Sequence, residues 1–358
     1  LNHIRYGTEA SDSFRAVWNN NINKRWSHQL YVLDNHYKTK YDGYLTDIKT
    51  RAFGDQVTYK AKDHTVVGGF DWRQDKVVNM GGIKLTNTSY FLQDEWKVAP
   101  KWTVTPGVRV DHHSAFGTHT SPSISVGYDV NAKTNVYAAY KEYFLAPTPY
   151  QLFDGTYGNR NLKPETGHEW SVGVHHKFGK TWNSNLSFFS RSTKDKIGWA
   201  TNPATGTVQY QNFDTEKAHG INADVRKQLT KHLSARLGYT YTHIDATPTR
   251  KANRDGYVPK HAVNAGLDYN DAKWDAHLDI RGVIDRPGPA ANIFPRTTYW
   301  ITDISANYRV RENVTVFGRV NNLFDTYYAE QSNVRWGNAG DWWPGQGRNF
   351  RLGVEVTI

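Results

Sequence analysis

The sequence predicts an all-β protein, a transmembrane antiparallel β-barrel, and three observations predict it. Apolar and polar residues alternate with a period of two through segment after segment. The 358 residues are hydrophilic on average, with a mean hydropathy of -0.72, yet 14% are aromatic. The connections between strands alternate between short and long. Strict alternation gives a strand one apolar and one wet face. A chain only 38% hydrophobic that still carries 13 Trp and 22 Tyr is accounted for when the apolar faces meet lipid and the polar faces meet a watery interior. No apolar run approaches the roughly eighteen residues of a membrane helix.

The final stretch RNFRLGVEVTI sets Phe350, Leu352, Val354, Val356 and Ile358 on one face and Arg351, Gly353, Glu355 and Thr357 on the other. WTVTPGVRVD does the same with Trp102, Val104, Pro106, Val108 and Val110, and HLSARLGYTYT with Leu233, Ala235, Leu237, Tyr239 and Tyr241. Short turns are predicted at Asn23-Lys24-Arg25, Ala61-Lys62-Asp63, Ala99-Pro100-Lys101, Asn131-Ala132-Lys133, Gly179-Lys180, Thr230-Lys231, Asn270-Asp271-Ala272 and Arg311-Glu312-Asn313. Longer segments rich in Gly, Pro and Asn fall between them, around 78–86, 115–120, 145–166, 202–206, 247–256, 287–297 and 329–347. Periplasmic turns opposite extracellular loops give this rhythm. The count is about seventeen strands plus a partial one near Ile4 to Tyr6, so 16–18 in all. Trp26, Trp96, Trp102, Trp182 and Trp274 stand beside short turns, where an amphipathic ring suits the headgroup level.

Net charge is +10, but the cations are scattered, as lumen and rim charges are, and nucleic acid is not an expected partner. The absence of cysteine excludes disulfides and thiolate metal sites. A start at Leu1, without initiator Met or signal peptide, reads as a mature, processed or partial chain.

Cations and rings gather in the predicted external loops: Tyr150, Phe153, Tyr157 and Arg160; Arg250, Lys251 and Arg254; Arg286 and Arg296; Arg335, Trp336, Trp342 and Trp343. Such sets attract and stack an anionic aromatic chelate, and lipopolysaccharide phosphates would attract the outermost cations equally. In DHHSAFGTH, His112, His113 and His119 are weak candidates for haem or metal ligation, and no resident metal or covalent cofactor is expected. His175-His176, beside a short turn, reads as interfacial. There is no Gly-x-Ser-x-Gly elbow, phosphate loop or His-Glu-x-x-His motif, and His243 with Asp245 supplies only half of a catalytic pair. The chemistry expected is binding and gating, with no enzyme activity.

Three segments resemble those of the TonB-dependent outer-membrane receptor family. In YKEYFLAPTPYQLFDGTYGNRNLKPETGHEWSVGV an aromatic-x-Ala-Pro box, with Ala146 and Pro147, is followed after a loop by Asn161, Leu162, Lys163, Pro164 and Glu165. VNNLFDTYYAEQS resembles the family's penultimate-strand signature, GRNFRLGVEVTI its closing strand, and GVRVDHHSAFGTHTSPSISVGYDV receptors of the ferric catecholate and colicin I type. The motif from Ala146 to Glu165 reads as structural: Pro164 ends the loop and sets Lys163 extended where the chain re-enters the sheet.

The resemblance implies a barrel of 22 strands holding a plug, placed in a Gram-negative-type outer membrane. The implied partners are outer-membrane lipid and lipopolysaccharide, the TonB complex through a segment preceding this chain, the barrel assembly machinery, and colicin or phage. The implied cargo is a ferric siderophore, with haem or cobalamin following. Haem receptors place a His between the two boxes, and APTPYQLFDGTYGNRNLKPE has none. By this reading residues 1–358 are one barrel domain, incomplete at its N-terminus and without the plug. The family usually ends in Phe, where this chain has Ile358. A passive porin stays open as an alternative.

Overall fold

The computed structural model describes residues 7–41, 44–201, 206–245, 258–286, 297–332 and 342–357. Within them seventeen strands belong to one sheet in which neighbours in sequence pair antiparallel, and two more form a separate hairpin. The partial strand expected near Ile4 to Tyr6 lies outside the described residues.

One compact unit comprises Leu1–Tyr128, Ala138–Trp170 and Ser192–Thr215. It contains β1 (Gly7–Asn21), β2 (Trp26–Tyr41), β3 (Tyr44–Lys60), β4 (His64–Val77), β5 (Ile83–Ala99), β6 (Trp102–His113) and most of β7 (Gly117–Asn131). The loop-side ends of β8 (Thr134–Leu145), β9 (Glu165–Phe178), β10 (Trp182–Thr201) and β11 (Val208–Gln228) belong to it as well. The other unit, Asp129–Tyr137, Ser171–Arg191 and Glu216–Ile358, holds their turn-side ends. It adds β12 (Leu233–Asp245), β13 (His261–Asn270), β14 (Trp274–Ile284), β15 (Tyr299–Arg311), β16 (Val314–Asn321), the hairpin β17 (Ala329–Ser332) and β18 (Trp342–Pro344), and β19 (Asn349–Val356). Many of the strands, such as β2 with 16 residues and β11 with 21, exceed the nine to eleven or so that cross a bilayer.

Polarity is inverted relative to a water-soluble protein. Phe350 and Leu352 on β19 are 71% and 84% exposed, and Trp18, Leu92, Trp170 and Leu237 are exposed too, while Ser89 and Asp111 are 1% and 6% exposed. A row of large apolar side chains turned outward from a sheet is stable when its solvent is hydrocarbon. The polar side satisfies itself: Arg109 donates to Asp71 (3.0 Å), Ser89 (2.6 Å) and Asp111 (3.2 Å), and the Tyr31 hydroxyl donates to Asp71 (2.9 Å). In the second unit Arg236 donates to Asp268 (3.3 Å) and Asp279, and His277 bridges Asp268 (2.8 Å) and Asp275 (2.5 Å). Charges crowded in one strand layer need such partners.

The tryptophans beside the short turns do more than mark a depth. Trp26 stands directly opposite Tyr59, Trp102 opposite Tyr128 and Trp274 opposite Tyr308, with ring centroids 4.5, 4.6 and 4.7 Å apart. Trp96 stacks on His64 at 5.5 Å, and Trp182 meets Phe178 at 6.2 Å. Each pair therefore joins strands while presenting amphipathic rings at an interface.

The turn after β13 shows why such short links hold. The Asp271 carboxylate accepts the backbone N–H groups of Lys273 and Trp274 (both 2.7 Å) and the Tyr269 hydroxyl (2.7 Å). The Trp274 N–H, the hydroxyl and the Lys273 N–H hold its pKa down at about 2. A depressed carboxylate stabilises the fold above its unfolded pKa, and that contribution disappears as pH falls through the folded value. Thermal stability of the wild type should therefore fall as the pH is lowered from about 4 to about 2, and Asp271→Asn should lose this part of the slope.

Candidate functional site

The segment between β8 and β9 is built as a rigid loop. It contains a five-residue helix, α1 (Pro149–Phe153), with Thr148 as N-cap and Pro149 at its first position. Thr148 and Gln151 exchange hydrogen bonds in a capping box, Gln151 N–H to Thr148 Oγ1 (3.2 Å) and Thr148 N–H to Gln151 Oε1 (2.8 Å). Asp154 then folds the chain back by accepting the N–H groups of Thr156 (3.1 Å) and Tyr157 (2.8 Å). Leu152 and Leu162 are buried with Leu85 and Ile197, and Phe116, Phe153 and Tyr210 pack against them.

The base of the loop is clamped by residues from β10 and β11. Asn212 accepts the Lys163 N–H (2.8 Å) and donates to the carbonyls of Lys163 (2.9 Å) and Asp195 (2.7 Å). Glu165, 5% exposed, accepts from Lys196 Nζ (2.7 Å) and the Ile197 N–H (2.9 Å). Asn159 donates to the Tyr210 carbonyl (2.9 Å) and accepts the Asn161 N–H (2.9 Å). Pro147 is buried, and Ala146 and Pro164 are half-buried.

On this framework the guanidinium of Arg160, an exposed residue, lies 5.5 Å from the centroid of the Phe153 ring. Tyr150 meets Tyr210 edge-on at 6.2 Å, and the Tyr210 N–H donates to the Tyr157 carbonyl (3.0 Å). Tyr150, Phe153 and Tyr157 are half-buried. The structure thus gathers Tyr150, Phe153, Tyr157 and Arg160 on one short, fixed segment. Beside it, Thr166 and Gly167 help line a cleft of about 260 Å³ whose polar groups include His119, Glu142, His168 and Lys194.

The other sequence-predicted residues are distributed differently. Arg286 is 3% exposed; its guanidinium donates to the Ala329 carbonyl and lies 5.5 Å from the Tyr299 ring centroid, so it holds the interior together. Trp342 and Trp343 contribute backbone to β18, opposite Ser332 and Gln331. Arg250, Lys251, Arg254, Arg296, Arg335 and Trp336 lie outside the described residues. His112 Nδ1 is 2.9 Å from Thr118 Oγ1, His113 Nδ1 accepts the Ala115 N–H (3.2 Å), and His119 stacks on Phe144. Among the described residues no group of three or more His, Cys, Asp or Glu is arranged to hold a metal. His243 Nε2 lies 3.1 Å from Asp245 Oδ1.

Sequence reasoning misses Asn212, Lys196 and Tyr210, which reach the loop from distant strands. Nor does it single out Asn322 within VNNLFD. Asn322, 2% exposed with φ 50°, donates to the carbonyls of Thr326 and Gln346 (both 3.0 Å) and accepts the Thr326 N–H (2.8 Å). Its own N–H donates to Asp303 Oδ1 (2.7 Å), so one side chain closes both ends of the segment between β16 and β19.

Lipid-facing strands of this inverted polarity, with aromatic pairs at the short turns and a built external loop, define an outer-membrane β-barrel protein. Among the described residues no helix is long and apolar enough to cross a membrane. The chain belongs to the TonB-dependent receptor-like β-barrel family, whose model matches residues 2–323. It is 28% identical over 317 residues to the iron-regulated outer membrane virulence protein of Vibrio cholerae, covering 80% of this chain and 47% of the relative. Identity to the vitamin B12 transporter BtuB of Photobacterium profundum is 26% over 284 residues, 73% of this chain and 43% of the relative. Among solved structures, a mutant of the ferric enterobactin receptor PfeA of Pseudomonas aeruginosa matches with a TM-score of 0.75 at 17% identity over 98% of this chain and 62% of that one. The chain spans about half the length of the curated relatives it matches.

Proposed function

We propose that these residues are the barrel portion of an outer-membrane active-transport receptor for a ferric siderophore of catecholate type, gated by a plug and powered through TonB. In this reading the plug and the TonB-engaging segment belong to a longer receptor. The supporting observation is the fixed loop that places the Arg160 cation over Phe153 and beside Tyr150 and Tyr157. A negatively charged chelate with aromatic rings is met there by charge and by stacking together. Pre-ordering of the loop by its capping box and by Asn212 lowers the entropy lost on capture. The relative regulated by iron accords with this cargo, and the BtuB relative keeps cobalamin as the second reading.

The test is ligand binding by the full-length receptor, followed through Trp fluorescence, with ferric catecholate, haem and cobalamin compared. Saturable quenching by the ferric catecholate is expected, and Arg160→Ala should weaken it about five- to thirtyfold, the worth of one well-placed cation. Quenching by cobalamin or haem with none by the catecholate would overturn the assignment.

A further inference from the structure

The outward face of β1 to β5 carries an acid inside its apolar band. Cross-strand register places Trp18, Leu30, Asp55, Phe70 and Tyr90 in one row across these five strands. Phe53 and Val57, two residues to either side of Asp55, share its face. At about 3.4 Å per residue, Asp55 stands roughly 14 Å along β3 from Tyr59, and Tyr90 roughly 20 Å along β5 from Trp96. Tyr59 and Trp96 belong to the aromatic level beside the short turns. An apolar band about 25 Å tall, crossed by strands tilted at about 40°, therefore encloses Asp55 and Tyr90 near its middle.

The acid is incompletely served there. His28 Nδ1 lies 3.4 Å from Asp55 Oδ1, but that oxygen is buried and accepts no hydrogen bond among the described residues. The side chain keeps 25% exposure, so an edge of the carboxylate is turned toward hydrocarbon, which costs free energy unless a donor meets it. Tyr90 is the opposite case: it is exposed on the same row, and among the described residues its hydroxyl has no hydrogen-bond partner. Between the two stands Phe70, directly opposite Asp55 on one side and Tyr90 on the other. Gly68 follows on the same face, between Val57 and Leu92, and a residue without a side chain lets a second surface approach closely.

We propose that this row is the contact between two copies of the receptor in the membrane, the Tyr90 hydroxyl of each donating to the Asp55 carboxylate of the other. A twofold interface is self-complementary, so that one residue meets a second while the second meets the first. The row has that form, with an acceptor short of a donor and a donor short of an acceptor two strands, or about 10 Å, apart. The twofold axis then passes through Phe70, which meets its own counterpart. A lipid tail has no donor or acceptor to offer and leaves both groups unserved.

The experiment is disulfide trapping of the full-length receptor in outer membranes. This chain has no cysteine, and the receptor with none added sets the background. Mild oxidation of Phe70→Cys should give a covalent dimer, whereas Ile124→Cys, on the same outward face of β7, should not. Tyr90→Phe, which keeps the ring, and Asp55→Leu should each lower the Phe70→Cys dimer at least about fivefold, since two hydrogen bonds per dimer are lost. Leu on a lipid face favours insertion, which separates this loss from a folding defect. A Phe70→Cys dimer no stronger than that of Ile124→Cys, or one undiminished by either second substitution, would overturn the proposal. So would a Phe70→Cys adduct with a different protein in place of the dimer.

Discussion

Glu165→Ala is expected to free the base of the β8–β9 loop, at a cost of about 2–3 kcal/mol. The carboxylate is buried and holds two donors, Lys196 Nζ and the Ile197 N–H. Removing one member of a buried pair leaves the other charge unpaired, which costs about 3–5 kcal/mol in a sealed interior. Lys196 retains 28% exposure and recovers part of that from water. Glu165→Gln keeps an acceptor for the Ile197 N–H and should lose about half as much. Limited proteolysis between residues 146 and 164 and thermal unfolding of the detergent-solubilised receptor read the two effects. Unchanged protease resistance and melting in the Ala variant would contradict the role given to Glu165.

The second large effect is expected at Asn322. Its side chain makes three hydrogen bonds that join the segment after β16 to the segment before β19. At about 1 kcal/mol each, and with a further ~1 kcal/mol for Ala in the left-handed backbone region, Asn322→Ala should cost about 3–4 kcal/mol. Asn322→Gly tolerates the φ of 50° and removes only the hydrogen bonds, so it should fall about 1 kcal/mol short of the Ala loss. Equal melting temperatures for wild type and both variants would refute this account.

How much is legible follows from which interactions are local. Alternation is local, so β6, β12 and β19 are readable from WTVTPGVRVD, HLSARLGYTYT and RNFRLGVEVTI. All eight predicted short turns lie at strand junctions. Boundaries on the opposite side shift: residues 83–86 and 117–120, expected as loop, begin β5 and β7. The β2–β3 link is absent from the predicted connections, although Asp42-Gly43 is a strong hairpin signal. The strands flanking it pair down to Tyr41 and Tyr44. The hairpin of β17 and β18 falls inside a segment expected as undivided loop.

Within the candidate site the rings and Arg160 are visible as composition, but their grouping depends on α1 and on Asn212, 49 residues from the backbone it holds. The lysines that face one another across β3, β4 and β5 escape for another reason. Lys49, Lys76 and Lys84 look scattered in sequence, as lumen and rim charges would; only register makes them neighbours. Arg286 illustrates the converse, since a cation in a predicted external segment is here enclosed by Tyr299 and Ala329.

Asn212 and Asn322 each fasten the foot of a long excursion, and neither belongs to its tip. Insertions, deletions or a foreign epitope beyond those feet would leave the strand ladder in its alignment. The surface beyond those feet can therefore vary in length and sequence without refitting the wall that carries it.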